Sequence, residues 1–350
     1  VTTGGRLVAN QAENEAMREA LRAARASVRT HPNPRVGCIL LADDGSRLAV
    51  GVHQGPGTPH AEVDALQQAG ERARGATAIV TLEPCNHTGR TGPCSEALIA
   101  AGVRRVVVAQ AEPTDQAAGG AARLAQAGVD VESGVLADEA YALNEHWTRS
   151  VRMQRPFVTW KLAATIDGRS AAADGTSRWI SGPEARRDTH RLRAAVDAIV
   201  VGTGTVLIDN PRLTVRDDAD RPIGDQPLRV VIGTRELPAD RNVWSDDAPT
   251  RHLATRDVRE ALKVLYADGV RDVWLEGGPT LAGAFLDAGA VDEVIAYVAP
   301  MLLGSGLAAL QTPAVTTIAD AWRLEPVEVT TVGTDVRITA RPRLEPKETA

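Results

Sequence analysis

One histidine, two cysteines and a carboxylate occur in an order suited to metal-assisted hydrolysis: His60-Ala61-Glu62, then Pro84-Cys85, then Pro93-Cys94. A catalytic zinc takes three protein ligands and keeps its fourth tetrahedral position for water. The metal lowers the pKa of that water to roughly 7, making hydroxide available at neutral pH. A carboxylate beside the metal then takes a proton from water and delivers it to a leaving amine. One His, two Cys and a Glu that does not bind the metal form the set used by zinc deaminases acting on nucleobases. His60, Cys85 and Cys94 are the expected ligands and Glu62 the expected proton carrier. His60 and Glu62 lie two residues apart at an expected helix start, so they point in different directions and can do different jobs. Cys94 follows Pro93 at another helix start, where exposed amides and the helix dipole favour a thiolate. An alternative stays open. Eight residues, 86–93, separate the cysteines, and His87 among them would complete a closed, structural zinc site. Cys38, inside an apolar run, is expected as buried packing.

The second half carries softer signals. Glu276-Gly277-Gly278-Pro279-Thr280 follows a strand-like run and opens a helix. Glycines there let a phosphate approach the backbone, and a helix start offers unpaired N–H groups to an anion. The same glycines would serve a plain tight turn. Val201-Gly202-Thr203-Gly204-Thr205 also follows a strand but lacks the third glycine of the dinucleotide fingerprint, so an ordinary Rossmann unit is not expected.

The elements that must position these residues can be read from hydropathy. Helices are expected over 13–29, from about 60, from about 94, near 119–127 and from about 138. Strands are expected at 36–42, 48–53, 76–82, 104–109 and 129–135, the first two paired across the turn 43–46. Strands spaced by helices imply parallel crossovers and a sheet covered on both faces. A second alternating series, after the polar stretch ending at Pro156, places strands at 157–164, 198–201, 228–232, 272–275 and 294–299. It closes on a hairpin, 327–332 with 335–340. At 350 residues the chain is expected to form two domains, 1–150 and 151–350, in an α/β class. A 43% apolar and 24% charged composition is ordinary for a soluble globular protein. The formal charge of −6 gives no attraction to a polyphosphate backbone, so nucleic acid is not an expected partner. No apolar run reaches the roughly 20 residues that span a bilayer. Three cysteines and no secretory pattern at the N-terminus point to a cytoplasmic, reducing setting.

The strings H-P-N-P-R-V-G-C (31–38), H-A-E-V-D-A-L (60–66), T-L-E-P-C (81–85) and G-R-T-G-P-C (89–94) resemble the bifunctional riboflavin-biosynthesis deaminase–reductase (RibD) family. K-L-A-A-T-I-D-G-R (161–169), S-R-W-I (177–180), the segment 202–216 and E-G-G-P-T-L-A-G (276–283) resemble its reductase half. The resemblance implies a cytidine-deaminase-like three-layer domain followed by a dihydrofolate-reductase-like domain. It implies zinc and NADPH as cofactors, a phosphorylated pyrimidine as small-molecule substrate, no membrane, and a homo-oligomer, dimer or tetramer. It places Asn33 and His53 at the pyrimidine ring or sugar, and His87 and Arg90 near the phosphate. NADPH is expected against Ala163, Trp179, Thr205, Asp209 and the run Gly278, Pro279, Thr280, Leu281, Ala282, Gly283, Ala284. The sugar phosphate is expected near Ser177, Arg193, Leu213 and Arg216, with Glu276 facing the ribose and Lys161 assisting ring opening. The implied sequence is deamination of the aminopyrimidine, then reduction of its ribosyl group to ribityl. Two rival readings stay open: a deaminase–reductase for another aminopyrimidine nucleotide, and a non-enzymatic regulator stabilised by zinc.

Overall fold

The computed structural model describes residues 9–27, 30–87 and 92–343. The chain divides into two units, Val1–Gln154 and Arg155–Ala350.

The first unit contains α1 (Gln11–Ala26), β1 (Gly37–Leu41), β2 (Arg47–Val52), α2 (Ala61–Ala69), β3 (Thr77–Leu82) and α3 (Cys94–Ala100). β4 (Arg105–Gln110), α4 (Gly120–Gln126), β5 (Asp130–Ser133), α5 (Ala137–Leu143) and α6 (Glu145–Met153) follow. Side chains alternate across a strand, and the burial follows that alternation. Cys38 and Leu40 of β1, Val80 of β3 and Val106 and Val108 of β4 meet Ala65 of α2, Leu98 of α3 and Leu124 of α4 on one face. Ile39, Ile79 and Val107, one residue on, meet Met17 and Ala20 of α1 and Ala140 of α5 on the other. The result is a three-layer α/β/α unit with strand order β2-β1-β3-β4-β5. β3, β4 and β5 run parallel as the helical spacers imply. β1 is antiparallel to both β2 and β3, so the crossover through α2 steps over β1. α1 starts two residues before its expected position, because Asn10 and Glu13 form a capping box. α6 continues past residue 150, and the unit ends after it.

The second unit contains β6 (Phe157–Thr165), β7 (Arg169–Ala171), α7 (Pro183–Arg193), β8 (Ala198–Gly202), α8 (Thr203–Asp209), β9 (Leu228–Ile232) and β10 (Thr250–Leu253). α9 (Val258–Ala267), β11 (Asp272–Leu275), α10 (Pro279–Asp287), β12 (Glu293–Ala299), β13 (Leu307–Ala308), β14 (Leu324–Val332) and β15 (Asp335–Pro342) complete it. Its eight-stranded sheet has the order β10-β9-β8-β11-β6-β12-β15-β14. The six strands from β10 to β12 are parallel, and the closing hairpin β14–β15 adds to β12 antiparallel. Val200, Val230 and Val273 pack on α9 and α10. Ile199, Val231 and Trp274 pack beneath Ala185 of α7 and Val206 of α8. β7, β10 and β13 were not legible in the sequence; each is two to four residues long. In a parallel sheet all strand ends of one kind lie on one edge, so the loops after β8, β9, β10 and β11 open together.

Candidate active sites

The first site gathers at the starts of α2 and α3. His60 stands at the N-cap of α2, and Cys94 is the first residue of α3. Nδ1 of His60 lies 3.2 Å from Sγ of Cys94 and 3.6 Å from Sγ of Cys85. Among the described residues these three donors form a cluster within 4.8 Å of one another, and His87 is not part of it. Zinc–sulfur bonds near 2.3 Å and zinc–nitrogen bonds near 2.0 Å put tetrahedral donors about 3.5 Å apart, so the triangle fits zinc and leaves a fourth position open. The hydrogen bond from Cys94 lowers the Cys85 thiol, and the same bond raises Cys94.

Glu62, in the first turn of α2, is buried beside this triangle, and burial raises its carboxyl to about 7. His53 Nδ1 donates to the Pro59 carbonyl at 2.9 Å, which leaves Nε2 to accept from Asn33 Nδ2 at 2.9 Å. The His53 ring meets the His60 ring edge to face at 5.3 Å. Asn33 and His53 therefore come together next to the ligand triangle. The Asn33 loop is tied down from α5 and α6. Asn144 bridges the Arg35 backbone N–H and C=O at 2.9 Å each, and Trp147 Nε1 donates to the Pro32 carbonyl at 3.0 Å. Cys85 is placed by a residue the sequence reading passed over. Glu83 accepts from the backbone N–H groups of Glu112, Gly119 and Ala121 at 3.0–3.2 Å. Gly120 comes so near Pro84 that a Cβ would stand 1.7 Å from its carbonyl oxygen. The acid before Pro84-Cys85 was the available signal; Asn144 and Trp147 offered none. His87 is half-buried, with Nδ1 buried and unpartnered, and Arg90 lies outside the described residues.

The second site is a cavity of about 1770 Å³ along the carboxyl edge of the large sheet. Lys161, Ala163, Ser177, Trp179, Arg193, Thr205, Asp209, Leu213, Arg216 and Glu276 line it, as do Gly278, Pro279, Thr280, Leu281 and Ala284. Ala282 and Gly283 do not line it. α10 turns them inward: Ala282 joins the core, and a Cβ on Gly283 would stand 2.0 Å from the Gln311 carbonyl oxygen. Gly278 ends a strand-to-helix turn with no side-chain cap, and a Cβ there would meet nothing nearer than Thr205 Oγ1 at 4.0 Å. That open, uncapped turn fits a cofactor phosphate.

Arg193 and Glu276, expected at separate parts of the substrate, form one half-buried ion pair at the cavity wall, with Nε to Oε1 at 2.5 Å. Trp274 Nε1 also donates to Glu276. Burial opposes ionisation of Glu276, but Arg193 and then Lys161 outweigh it and hold the carboxyl down at about 2. Burial lowers the Lys161 ammonium, with Glu276 acting against that shift. His190, absent from the sequence reading, lines the same cavity. Burial, Arg193 and Arg216 lower it to about 4, so it is neutral and its Nδ1 accepts from Arg216 N at 3.3 Å. Leu213 is held at φ +53°, in the left-handed region that non-glycine residues rarely adopt, in the loop that carries Arg216. The exposed Trp179 ring lies 4.5 Å from the Arg186 guanidinium.

Residues 10–110 match the cytidine and deoxycytidylate deaminase zinc-binding region, and residues 156–338 match the RibD C-terminal domain. The riboflavin biosynthesis protein RibD of Mycobacterium tuberculosis H37Rv is 49% identical over 309 residues, covering 88% of this chain and 90% of that protein. The chain belongs to the RibD family. RibD of Escherichia coli K12 is 44% identical, covering 90% of this chain and 95% of that protein. The solved Acinetobacter baumannii RibD superposes with a TM-score of 0.87 at 37% identity, covering 95% of this chain and 99% of that one. A Thermotoga maritima diaminohydroxyphosphoribosylaminopyrimidine deaminase/5-amino-6-(5-phosphoribosylamino)uracil reductase gives 0.84 at 30% identity, with the same coverages. As a RibD, this chain is a bifunctional deaminase and reductase of riboflavin biosynthesis, with zinc serving the first activity and NADPH the second. Its substrate is a small molecule. Among the described residues no helix is long and apolar enough to cross a membrane.

Proposed function

We infer that the first unit deaminates 2,5-diamino-6-ribosylamino-4(3H)-pyrimidinone 5′-phosphate and that the second reduces the ribosyl group of the product to ribityl. The observation carrying this reading is the three-donor triangle with a buried fourth acid that is not part of it. A closed structural zinc, as in a non-enzymatic regulator, would need a fourth ligand that His87 does not supply among the described residues.

His60, Cys85 and Cys94 hold the zinc, which when bound supplies the Lewis acidity that makes water nucleophilic at neutral pH. Glu62 takes a proton from the attacking water and returns it to the leaving nitrogen. The carbon–nitrogen bond breaks, a carbonyl oxygen replaces the amine, and ammonia departs. Asn33, held by His53, contacts the pyrimidine ring or sugar. His87 and Arg90 serve the ribose phosphate.

In the second unit Ala163, Trp179, Thr205, Asp209 and the 278–284 segment hold NADPH, the source of the hydride that reaches C1′. Ser177, Leu213 and Arg216 hold the sugar phosphate. Arg193 orients Glu276 toward the ribose. Lys161, half-buried near Glu276 in the cavity wall, gives up a proton as the sugar ring opens. Free thiols at Cys38, Cys85 and Cys94 and an NADPH-dependent step suit a reducing cytoplasm. The edge strand β14, exposing Val327 and Val329, supports assembly as a homo-oligomer, dimer or tetramer.

The test is ammonia release from the diaminopyrimidinone ribosylamine phosphate by wild type and Glu62→Ala at equal, measured zinc content, followed by NADPH addition. Release lost in the variant at unchanged zinc is the expected result. No release from zinc-loaded wild type overturns the substrate assignment and favours another aminopyrimidine nucleotide.

A further inference from the structure

One imidazole on the wall of the second unit's cavity has no role in the reaction described above. α7 turns Arg186, His190 and Arg193 toward the cavity, at the spacing of a single helix face. The guanidiniums flanking His190 are engaged by the protein itself. Arg186 Nη1 donates to the Ser181 carbonyl at 2.7 Å, Arg193 pairs with Glu276, and Arg216 pairs with Asp220. His190 differs. Its Nδ1 accepts from Arg216 N at 3.3 Å, while Nε2 is open to the cavity and has no partner among the described residues. A neutral imidazole that accepts at Nδ1 carries its proton on Nε2. The ring is therefore a donor facing the cavity. Burial, Arg193 and Arg216, working against Glu276 and Asp220, keep it neutral down to about pH 4.

The segment that His190 holds is fixed residue by residue. The Thr214 carbonyl accepts from Arg193 Nη1 at 3.3 Å. Gln226 Oε1 accepts from Val215 N at 2.8 Å, and its Nε2 donates to the Val215 carbonyl at 3.0 Å. Arg216 N makes the next link, to His190. The loop and α7 are thus joined before any ligand arrives. The Arg216 guanidinium and the His190 Nε2–H come from the two sides of that joint, and phosphate oxygens can accept from both. A donor already held in place needs no reordering to meet one of them.

We propose that His190 Nε2–H donates to the sugar phosphate beside Arg216, which makes His190 a residue that selects phosphorylated over dephosphorylated substrate in the reduction step. The proposal adds a contact at the phosphate end of the cleft and rests on the placement of that phosphate at Ser177, Leu213 and Arg216.

The experiment is steady-state reduction of the deaminated substrate, with and without its 5′-phosphate, at saturating NADPH. The full-length protein is used as wild type, His190→Ala, His190→Asn and His190→Gln. The two amides divide the contacts of the imidazole. An Asn oxygen stands where Nδ1 does and keeps the bond from Arg216 N, but its nitrogen falls short of the Nε2 position. A Gln nitrogen reaches the Nε2 position and gives up the Nδ1 contact. His190→Ala and His190→Asn are expected to raise KM for the phosphorylated substrate roughly 10- to 100-fold, the loss of one hydrogen bond to a charged group. Their kcat, and KM for the dephosphorylated substrate, are expected to move by less than about 3-fold. His190→Gln is expected to stay near wild type. Unchanged near-ultraviolet circular dichroism and NADPH affinity confirm that the variants fold. The opposite order, with Asn near wild type and Gln impaired, would reduce His190 to a brace for the Arg216 loop and overturn the proposal. Equal KM increases for both substrates would overturn it too, by taking His190 away from the phosphate. A wild type that reduces both substrates with the same KM would instead overturn the phosphate placement itself.

Discussion

The two sites are built in opposite ways. In the first unit the chemistry sits on three short segments, each at the start of a helix or the end of a strand. His60 and Glu62 are separated by one residue, and Cys94 Sγ reaches His60 Nδ1 at 3.2 Å. In the second unit the working groups come from β6, α7, the loop around Leu213, and the ends of β8 to β11, spread along a cavity of about 1770 Å³. A metal needs donors at one point, whereas a dinucleotide and a sugar phosphate need contacts spaced over their whole length. Their electrostatics differ accordingly. The triangle gathers two thiols and an imidazole beside a buried carboxyl held up at about 7, a donor set that suits zinc. The cleft neutralises its half-buried acid internally, with Arg193 on Glu276, and leaves cations over for anionic ligands.

That contrast can be broken at either end. The largest effect is expected from Cys85→Ala: zinc content by atomic absorption falls far below one per chain and ammonia release drops to background. Reduction of the already deaminated substrate is expected to continue. Glu62→Gln should lower ammonia release by about 10²- to 10⁴-fold with zinc retained. Loss of zinc in that variant would make Glu62 a structural part of the triangle.

Arg193→Met should leave the half-buried Glu276 without its guanidinium partner and cost the second unit about 1–3 kcal/mol, with reduction abolished. Tryptophan fluorescence suits this measurement because five of the six tryptophans lie in that unit. A variant as stable as wild type would mean that Lys161 alone can hold the carboxylate. The same pair predicts a pH dependence. Glu276 ionises at about 2 when folded against 4.5 when free, so its contribution is complete above pH 4.5 and is lost as pH falls toward 2. His190, at about 4 instead of 6.5, makes the unfolded chain bind the extra proton between pH 6.5 and 4. Both lower stability on acidification, in adjoining windows. Glu276→Gln should flatten the lower window and His190→Gln the upper, read from denaturation midpoints at each pH.

Smaller effects test the scaffolding. Glu83→Ala should weaken zinc affinity by about 10-fold, measured by competition with a chelating dye, because the Cys85 segment loses its anchor to three backbone amides. Asn10→Ala should cost about 1 kcal/mol through its lost capping box and leave both activities unchanged.

Much of this was legible before any fold was considered. The metal triangle could be read because each ligand type is chemically rare, and each follows a proline, a helix start or a strand end. The alternating apolar runs marked the long strands correctly, since burial on both sheet faces requires them. The short strands β7, β10 and β13 were not marked, because two to four residues carry too little periodicity. Lys161, Glu276 and Arg193 were named by resemblance, which put Arg193 at the sugar phosphate and Glu276 at the ribose without showing that the two side chains meet. They lie 83 residues apart, and only the meeting of α7 with the end of β11 joins them. The run 278–284 was named as one cofactor segment, and a string of residues does not show which of its side chains turn inward. The turning of α10 decided that Ala282 and Gly283 belong to the core. Residue type and local spacing thus determined which chemistry this chain carries, because those depend on neighbours in sequence. Which cations stay unpaired, which acid is silenced and which strand ends face one ligand depended on neighbours in space, and the tertiary structure alone decided them.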